Sequence, residues 1–184
     1  SIVERGAASD ATLIKDLDAE LELPTLERAG SISAKGVWRE EKMAFSASSA
    51  NPLLLFAGGA GQLTADLDGP SIKGHFQGGA KFAPQGYFEG DAAVSTSSLR
   101  RLATLWGRSL PVSAFGAVSL TGRVNGGGDR FRLENAAVTV DGNTASGGLE
   151  MLLAPGKLPT LTGTLAFEAL DMGTLLTAFS PTGR

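Results

Sequence analysis

The chain has 184 residues, of which 42% are hydrophobic and 19% are charged, with a formal net charge of −3 at pH 7. These values are typical of a folded domain, and a weakly acidic chain offers no basic face for nucleic acid. The absence of cysteine excludes disulfides, thiol nucleophiles and most structural zinc sites. The 25 glycines exceed the usual ~7% of residues and are scattered at turn positions, as expected of a β-rich fold.

Alternation of apolar and polar residues predicts β-strands along most of the chain. In the first half, alternating segments occupy residues 17–23, 43–47, 63–67, 72–76 and 88–94. Beginning one residue before the first of these segments, four carboxylates alternate with the apolar residues: Asp16, Asp18, Glu20 and Glu22. Because every second side chain of a strand projects from the same face, we expect these carboxylates to form one solvated outer face.

The last third of the chain shows the clearest alternation, over residues 118–124, 131–140, 149–153 and 161–167. Residues 126–128 (three glycines) and the Asp-Gly pair at 141–142 are predicted to reverse the chain in tight turns, because glycine tolerates a positive φ. The apolar phase shifts between Leu133 and Ala136, which predicts a β-bulge. Taken in order, these strands predict an antiparallel meander with short turns.

Two short amphipathic helices are predicted between the strands. Ser98 is in position to cap a helix over residues 99–106, and Asp171 a helix over residues 172–179. Each helix has only a few turns, too few for stability in isolation, so each must pack on the rest of the fold. The helices either plug an end of the sheet or act as lipid-gating helices at a membrane surface; their amphipathic pattern favours the first interpretation.

A weak internal repeat divides the sequence. An apolar anchor at a strand end recurs every 73 residues, and a helix-cap residue follows each anchor four positions later. The anchors are Leu21, Val94 and Phe167, and the cap residues are Thr25, Ser98 and Asp171. Repeats of one supersecondary unit usually stack into an elongated array. We therefore expect one elongated repeat region, with units over about residues 10–30 (partial), 31–106 and 107–179, excised from a larger protein.

Residues suited to catalysis or metal binding are nearly absent from the sequence. The single histidine, His75, lies in a predicted strand, and a lone solvated histidine is far more common than a metal ligand or a catalytic base. The glycine-rich residues 58–61 match no phosphate loop and are predicted to form a turn. The charged residues 39–42 are predicted to be a polar turn, and Arg100, Arg101 and Arg108 ordinary helix surface. We predict no enzyme activity, no cofactor and no metal site.

Small apolar residues dominate one face of the predicted strands, and aromatic residues make up only 7% of the chain. We predict a mainly β fold: a long antiparallel, strongly curved β-meander that forms an apolar groove, with two short amphipathic helices between or capping the repeat units. A sandwich with a filled core is the alternative. Eight residues are predicted to line the groove and contact lipid: Leu21, Val94, Val118, Leu120, Leu149, Met151, Leu165 and Phe167.

Several segments of the chain resemble the C-terminal region of AsmA-family proteins, in which blocks of the types G-x-L-x-F-x-x-L-D and L-D-G-x-x-A-x-G recur. The segments are residues 119–133, 138–147 and 161–172, and residues 67–74 and 98–102 are similar in style. The resemblance extends over most of residues 10–179. Its motifs consist of strands and turns, so they identify no individual functional residue.

The resemblance implies a non-enzymatic protein anchored in the inner membrane of a diderm bacterium, with this segment on the periplasmic side. It also implies a role in outer-membrane assembly or homeostasis, through an apolar β-groove that binds or transports phospholipid. The expected partners are phospholipid acyl chains and other segments of the same full-length chain, with no nucleic acid and with the membrane anchor outside this fragment. A structural β-rich spacer or scaffold with a filled core is the alternative function.

Overall fold

The computed structural model describes residues 14–23, 28–82, 86–105, 116–153 and 160–167. These residues form ten β-strands and two short helices. The strands are β1 (Ile14–Glu22), β2 (Gly30–Trp38), β3 (Glu41–Ser49), β4 (Gly61–Asp68), β5 (Lys73–Lys81), β6 (Tyr87–Thr96), β7 (Val118–Gly127), β8 (Arg130–Val140), β9 (Asn143–Leu152) and β10 (Thr160–Phe167). The helices are α1 (Pro52–Phe56), between β3 and β4, and α2 (Leu99–Leu105), between β6 and β7.

The ten strands form one antiparallel sheet in which the spatial order equals the sequence order. β1 and β10 are its two edge strands, so the sheet is open. With about 4.8 Å between neighbouring strands, the sheet is about 43 Å wide. The predicted antiparallel meander is therefore confirmed. Its strands include β2, which the alternation pattern misses because Gly30, Ala34 and Gly36 weaken the apolar signal on one face.

The strand register aligns apolar residues with apolar residues across the whole sheet. One row of directly paired residues crosses all ten strands: Ala19, Ala34, Phe45, Leu67, Gly74, Val94, Leu120, Val138, Ala145 and Phe167. Side chains of paired residues project from the same side of a sheet. We call this side the apolar face. The opposite side, which carries most of the charged residues of the strands, is the polar face.

Two β-bulges keep the apolar residues of their strands on the apolar face. The register of β8 shifts between Leu133 and Ala136, as predicted, and Asn135 in the bulge has a φ of 50°. A second bulge lies in β1 between Lys15 and Asp18. Asp16 lies in this bulge with a φ of 50°, so the prediction that it continues the row of carboxylates through Asp18 is wrong.

Left-handed backbone conformations form the tight turns between strands. Asp141 and Gly142 both have positive φ values, 47° and 86°, as a two-residue hairpin requires. Gly128, with a φ of 63°, turns the chain between β7 and β8, which confirms the chain reversal predicted at residues 126–128. The β2–β3 hairpin has the same geometry without glycine, since Arg39 and Glu40 have φ values of 48° and 70°.

The two helices correspond only in part to the prediction. α2 is confirmed: the Ser98 hydroxyl accepts a hydrogen bond from the Arg101 backbone N–H at 3.3 Å, as an N-cap residue does. α1 was not predicted; Pro52 occupies its first turn and Leu55 is 2% exposed. The predicted helix over residues 172–179 and the predicted caps Thr25 and Asp171 lie outside the described residues.

The three repeat anchors lie on the same face of the sheet, but the units between them differ. Leu21 is in β1, Val94 in β6 and Phe167 in β10. Five strand-to-strand steps separate the first two anchors and four separate the last two. In an antiparallel meander, β6 and β10 therefore run in the same direction and β1 runs in the opposite one. The 73-residue spacing thus corresponds to no constant number of strands.

Replacing Ser98 by alanine is expected to lower the free energy of unfolding by about 1 kcal/mol, because the first turn of α2 loses its cap. Chemical denaturation of the two proteins measures the difference. Ser46→Ala is the matched control, because Ser46 is exposed on the polar face of β3, and a change within about 0.5 kcal/mol is expected there. Equal losses in the two variants would contradict the capping role.

Candidate apolar binding face

Large apolar side chains on the apolar face are partly exposed. The exposed fraction is 62% for Leu21, 41% for Phe45, 43% for Val94, 62% for Leu161 and 46% for Phe167. Side chains on the inner face of a two-layer domain are usually covered by the second layer. In the described residues the strands form a single sheet, and these side chains keep much of their surface free.

A cavity of about 450 Å³ lies on the apolar face beneath α1. We call it the α1 cavity. Its lining includes residues from six successive strands and from the helix: Leu21, Ile32, Phe45, Leu55, Phe56, Ala65, Phe76, Phe82 and Phe88, among others. A wall contributed by strands β1 to β6 is consistent with the predicted curvature of the meander.

Four phenylalanines form a connected cluster in the α1 cavity. The ring centroids of Phe56 and Phe82 are 5.9 Å apart, those of Phe82 and Phe88 are 6.1 Å apart, and those of Phe76 and Phe88 are 5.9 Å apart. The last pair is perpendicular, at 90°. Tilted and edge-to-face contacts at these separations stabilise aromatic pairs. The cluster connects α1 to β5 and β6 and gives the cavity an apolar wall.

A second cavity, of about 400 Å³, lies on the same face toward α2. We call it the α2 cavity. Leu102 of α2 lines it together with Trp38, Met43 and Ile72. Phe45 lines both cavities, so this single side chain lies at the boundary between them.

A buried carboxylate connects α2 to the sheet beside the α2 cavity. Glu41, at the start of β3, is 4% exposed, and its Oε1 accepts hydrogen bonds from the Ser71 hydroxyl and, at 2.6 Å, from Arg101 Nε. Ser71 is fully buried, and Glu41 Oε2 is buried with no hydrogen-bond partner among the described residues. The prediction that residues 39–42 are only a polar turn is therefore wrong for Glu41. Arg101 lies on the exposed surface of α2, as predicted, and its contact with Glu41 also holds the helix against the sheet.

The structure places all eight predicted lining residues on the apolar face. Leu21 lines the α1 cavity. The other seven lie in β6, β7, β9 and β10 and are linked through the strand register, outside the linings of the two cavities: Val94, Val118, Leu120, Leu149, Met151, Leu165 and Phe167. Whether these residues contact lipid stays a prediction.

The prediction missed the phenylalanines that line the α1 cavity. Five of the nine phenylalanines of the chain lie between residues 45 and 88: Phe45, Phe56, Phe76, Phe82 and Phe88. All five line the α1 cavity. The rest of the chain is poor in aromatic residues. The concentration of phenylalanines between residues 45 and 88 is therefore the sequence feature that could have indicated this cavity.

The polar face carries side chains that pair with one another through close polar contacts. His75 Nδ1 is 2.7 Å from Asp66 Oδ1, and Arg123 Nη2 is 3.0 Å from Glu89 Oε1. The hydrogen bond from Arg123 to Glu89 raises the pKa of the arginine. Partial desolvation, together with Glu89, also raises the pKa of Tyr87. Within the described segments, no three potential metal-ligating side chains lie close enough to hold a metal ion.

Comparisons of the chain with models of known protein families, with curated proteins and with solved structures gave no match. The likeness to AsmA-family proteins therefore stays a prediction. In the part of the chain that the structure describes, no helix has the length and hydrophobicity needed to span a membrane.

Proposed function

We propose that this chain is a non-enzymatic, lipid-binding segment of a bacterial envelope protein, and that its apolar face forms a groove for phospholipid acyl chains. The observation that carries the proposal is the continuous apolar row across ten strands, from Ala19 to Phe167. Along it, large side chains such as Phe45 and Val94 keep about two-fifths of their surface exposed. Contiguous exposed apolar surface of this extent marks a binding site for an apolar ligand or partner.

The chemistry of the two cavities suits an acyl chain. An alkyl chain requires apolar walls and no hydrogen-bond partners, and the linings described above consist mainly of aliphatic and aromatic side chains. Volumes of about 450 and 400 Å³ lie within the usual range for small-molecule sites. Charged residues lie mostly on the polar face, where they stay solvated and do not compete for the groove.

The cellular setting belongs to the same proposal and rests on the AsmA-like sequence blocks. The segment would lie on the periplasmic side of the inner membrane of a diderm bacterium and take part in outer-membrane assembly or homeostasis. Other segments of the full-length chain would continue the groove and carry the membrane anchor. The open edges of the sheet, at β1 and β10, are compatible with such continuation.

A structural spacer with a filled core is the second candidate. The observations that favour it are the local cores beneath the helices, where Leu55, Leu102 and Leu105 are buried. These cores lie at the helices, whereas Leu161 and Phe167 on β10 are 62% and 46% exposed. The two candidates differ in whether the apolar face is available to a ligand.

Lipid analysis of the purified 184-residue protein tests the proposal. Native mass spectrometry is expected to show adducts with the mass of phospholipid, and solvent extraction should release the same lipid. A protein stripped of lipid and incubated with phosphatidylethanolamine vesicles should regain the adduct. A stripped protein that takes up no lipid, and that binds no fluorescent fatty acid, would contradict the groove and favour the spacer.

A further inference from the structure

The α1 and α2 cavities lie end to end along the strands, with Phe45 between them. Phe45 is the fifth of the nine residues of β3. Toward Ser49 the strand lines the α1 cavity, and toward Glu41 it lines the α2 cavity through Met43. At about 3.4 Å per residue, β3 extends about 14 Å on each side of Phe45. The hydrocarbon core of a bilayer is about 30 Å thick, so each acyl chain spans about 15 Å. Each half of β3 therefore matches the length of one acyl chain.

The volumes of the two cavities also suit one chain each. A methylene group is similar in size to a water molecule, whose share of the liquid is about 30 Å³. Cavities of about 450 and 400 Å³ therefore hold about 15 and about 13 carbon atoms at this volume per carbon. A single chain that fills one cavity leaves the other empty, whereas the two chains of one phospholipid fill both.

The two helices cover the outer ends of the cavities and leave the middle exposed. Leu55 of α1 and Leu102 of α2 are both buried, and the contact of Arg101 with Glu41 holds α2 over its end. Phe45, which lies between the helices, keeps about two-fifths of its surface exposed. A polar group that joins two chains therefore has its route to solvent over the ring of Phe45.

We propose that the two cavities together hold one phospholipid whose two acyl chains diverge over Phe45. One chain enters the α1 cavity, the other enters the α2 cavity, and the glycerol and headgroup stay in solvent above the ring. This inference rests on the proposed function and defines the class of lipid that the site takes. A single fatty acid would leave one apolar cavity exposed to water. Two separate one-chain lipids would fill both cavities, but each of them loses its own translational and rotational freedom on binding.

Lipid counting by native mass spectrometry tests this arrangement in the stripped wild-type protein. The probes are dipalmitoyl phosphatidylethanolamine, with two chains, and palmitoyl lysophosphatidylethanolamine, with the same headgroup and one chain. At saturation we expect two one-chain lipids for each two-chain lipid, and bound two-chain lipid should exclude the one-chain lipid. The two-chain lipid should bind about tenfold or more tightly than the one-chain lipid, because its second chain binds within an already formed complex.

Two tryptophan substitutions, one in each cavity, locate the chains. Ala65 lines the α1 cavity and Ala34 lines the α2 cavity, so Ala65→Trp and Ala34→Trp each fill one of them. Each variant should bind one fewer one-chain lipid than the wild type. Each should also bind the two-chain lipid about tenfold or more weakly, since one of its chains is left without a cavity. Ser46→Trp, on the polar face of β3, is the matched control and should leave both counts unchanged.

The possible outcomes separate this inference from the proposed function. A stripped protein that takes up neither lipid contradicts both. Equal numbers of the two lipids at saturation would overturn the two-cavity arrangement and leave the apolar face as a lipid site. Unchanged counts in both Ala65→Trp and Ala34→Trp would do the same, because the lipid would then lie elsewhere on that face. The ratio of the two lipids in the wild type requires neither variant, so a variant that fails to fold leaves this test intact.

Discussion

Replacing Phe45 by lysine is expected to weaken acyl-chain binding at least tenfold while leaving the sheet folded. Phe45 lines both the α1 and the α2 cavity. An acyl chain that extends from one cavity into the other would therefore contact its ring. Loss of a large apolar contact of about 1.5–3 kcal/mol corresponds to a tenfold to hundredfold weaker affinity. The ammonium group adds the cost of placing a charge beside an alkyl chain. Fluorescent fatty-acid titration of the stripped proteins measures the effect.

The free energy of unfolding of the Phe45→Lys variant distinguishes an open groove from a filled core. Truncating a phenylalanine in a filled core usually costs about 3–5 kcal/mol, whereas Phe45 is already 41% exposed and a loss of about 1–2 kcal/mol is expected here. Ser46→Lys is the control, because Ser46 projects from the polar face and pairs with Asp66. Both affinity and stability should stay near wild type in that variant. A large stability loss in Phe45→Lys, without a lipid effect, would favour the spacer.

Much of the fold could be predicted because one physical pattern governs it. A strand with one apolar face must alternate with a period of two, and consecutive strands of this kind pair with their sequence neighbours. The same logic located the bulge between Leu133 and Ala136, since a phase shift without a bulge would place apolar residues on the polar face. The turn at Asp141 and Gly142 could be predicted because few residues adopt two successive positive φ values.

Other features could not be predicted because their cause is not local. The β2–β3 turn has positive φ at Arg39 and Glu40, which no local preference favours; the register of the flanking strands imposes it. Strand β2 was missed because its glycines and alanines carry little apolar signal, although its face is fixed by pairing with β1 and β3. α1 was missed because five residues are too few to show a helical period.

The candidate site likewise has features that the sequence predicts and features that it does not. The face on which Leu21 and Val94 lie followed from alternation alone. The phenylalanine cluster and the burial of Glu41 depend on which strands become neighbours, since Phe76 meets Phe88 across the β5–β6 pair and Glu41 meets Arg101 from a helix sixty residues later. Such contacts follow from the topology of the sheet, and a pattern within one segment cannot show them.

Replacing Arg101 by leucine is expected to lower the free energy of unfolding by about 2–3 kcal/mol. The Glu41 side chain is 5% exposed and that of Arg101 is 61% exposed. Removing one partner of a buried pair usually costs about 3–5 kcal/mol because the other charge is left uncompensated, and the solvent around Arg101 reduces this value. Chemical denaturation measures the loss. Arg132→Leu, which removes a surface ion pair with Glu150, is the control and should cost less than about 1 kcal/mol.

A second substitution identifies the buried charge as the cause. In the Arg101→Leu background, Glu41→Gln is expected to recover at least half of the lost stability, because a neutral amide needs no counter-charge and its oxygen still accepts the hydrogen bond from Ser71. Glu41→Gln alone should cost less stability than Arg101→Leu, because the amide oxygen still accepts from Ser71 and Arg101, although the amide N–H₂ takes the place of the unpartnered Oε2. If the double variant is no more stable than Arg101→Leu, the loss comes from packing of the arginine stem against α2 and the sheet. Recovery would instead show that the carboxylate of Glu41 holds α2 beside the α2 cavity through its charge.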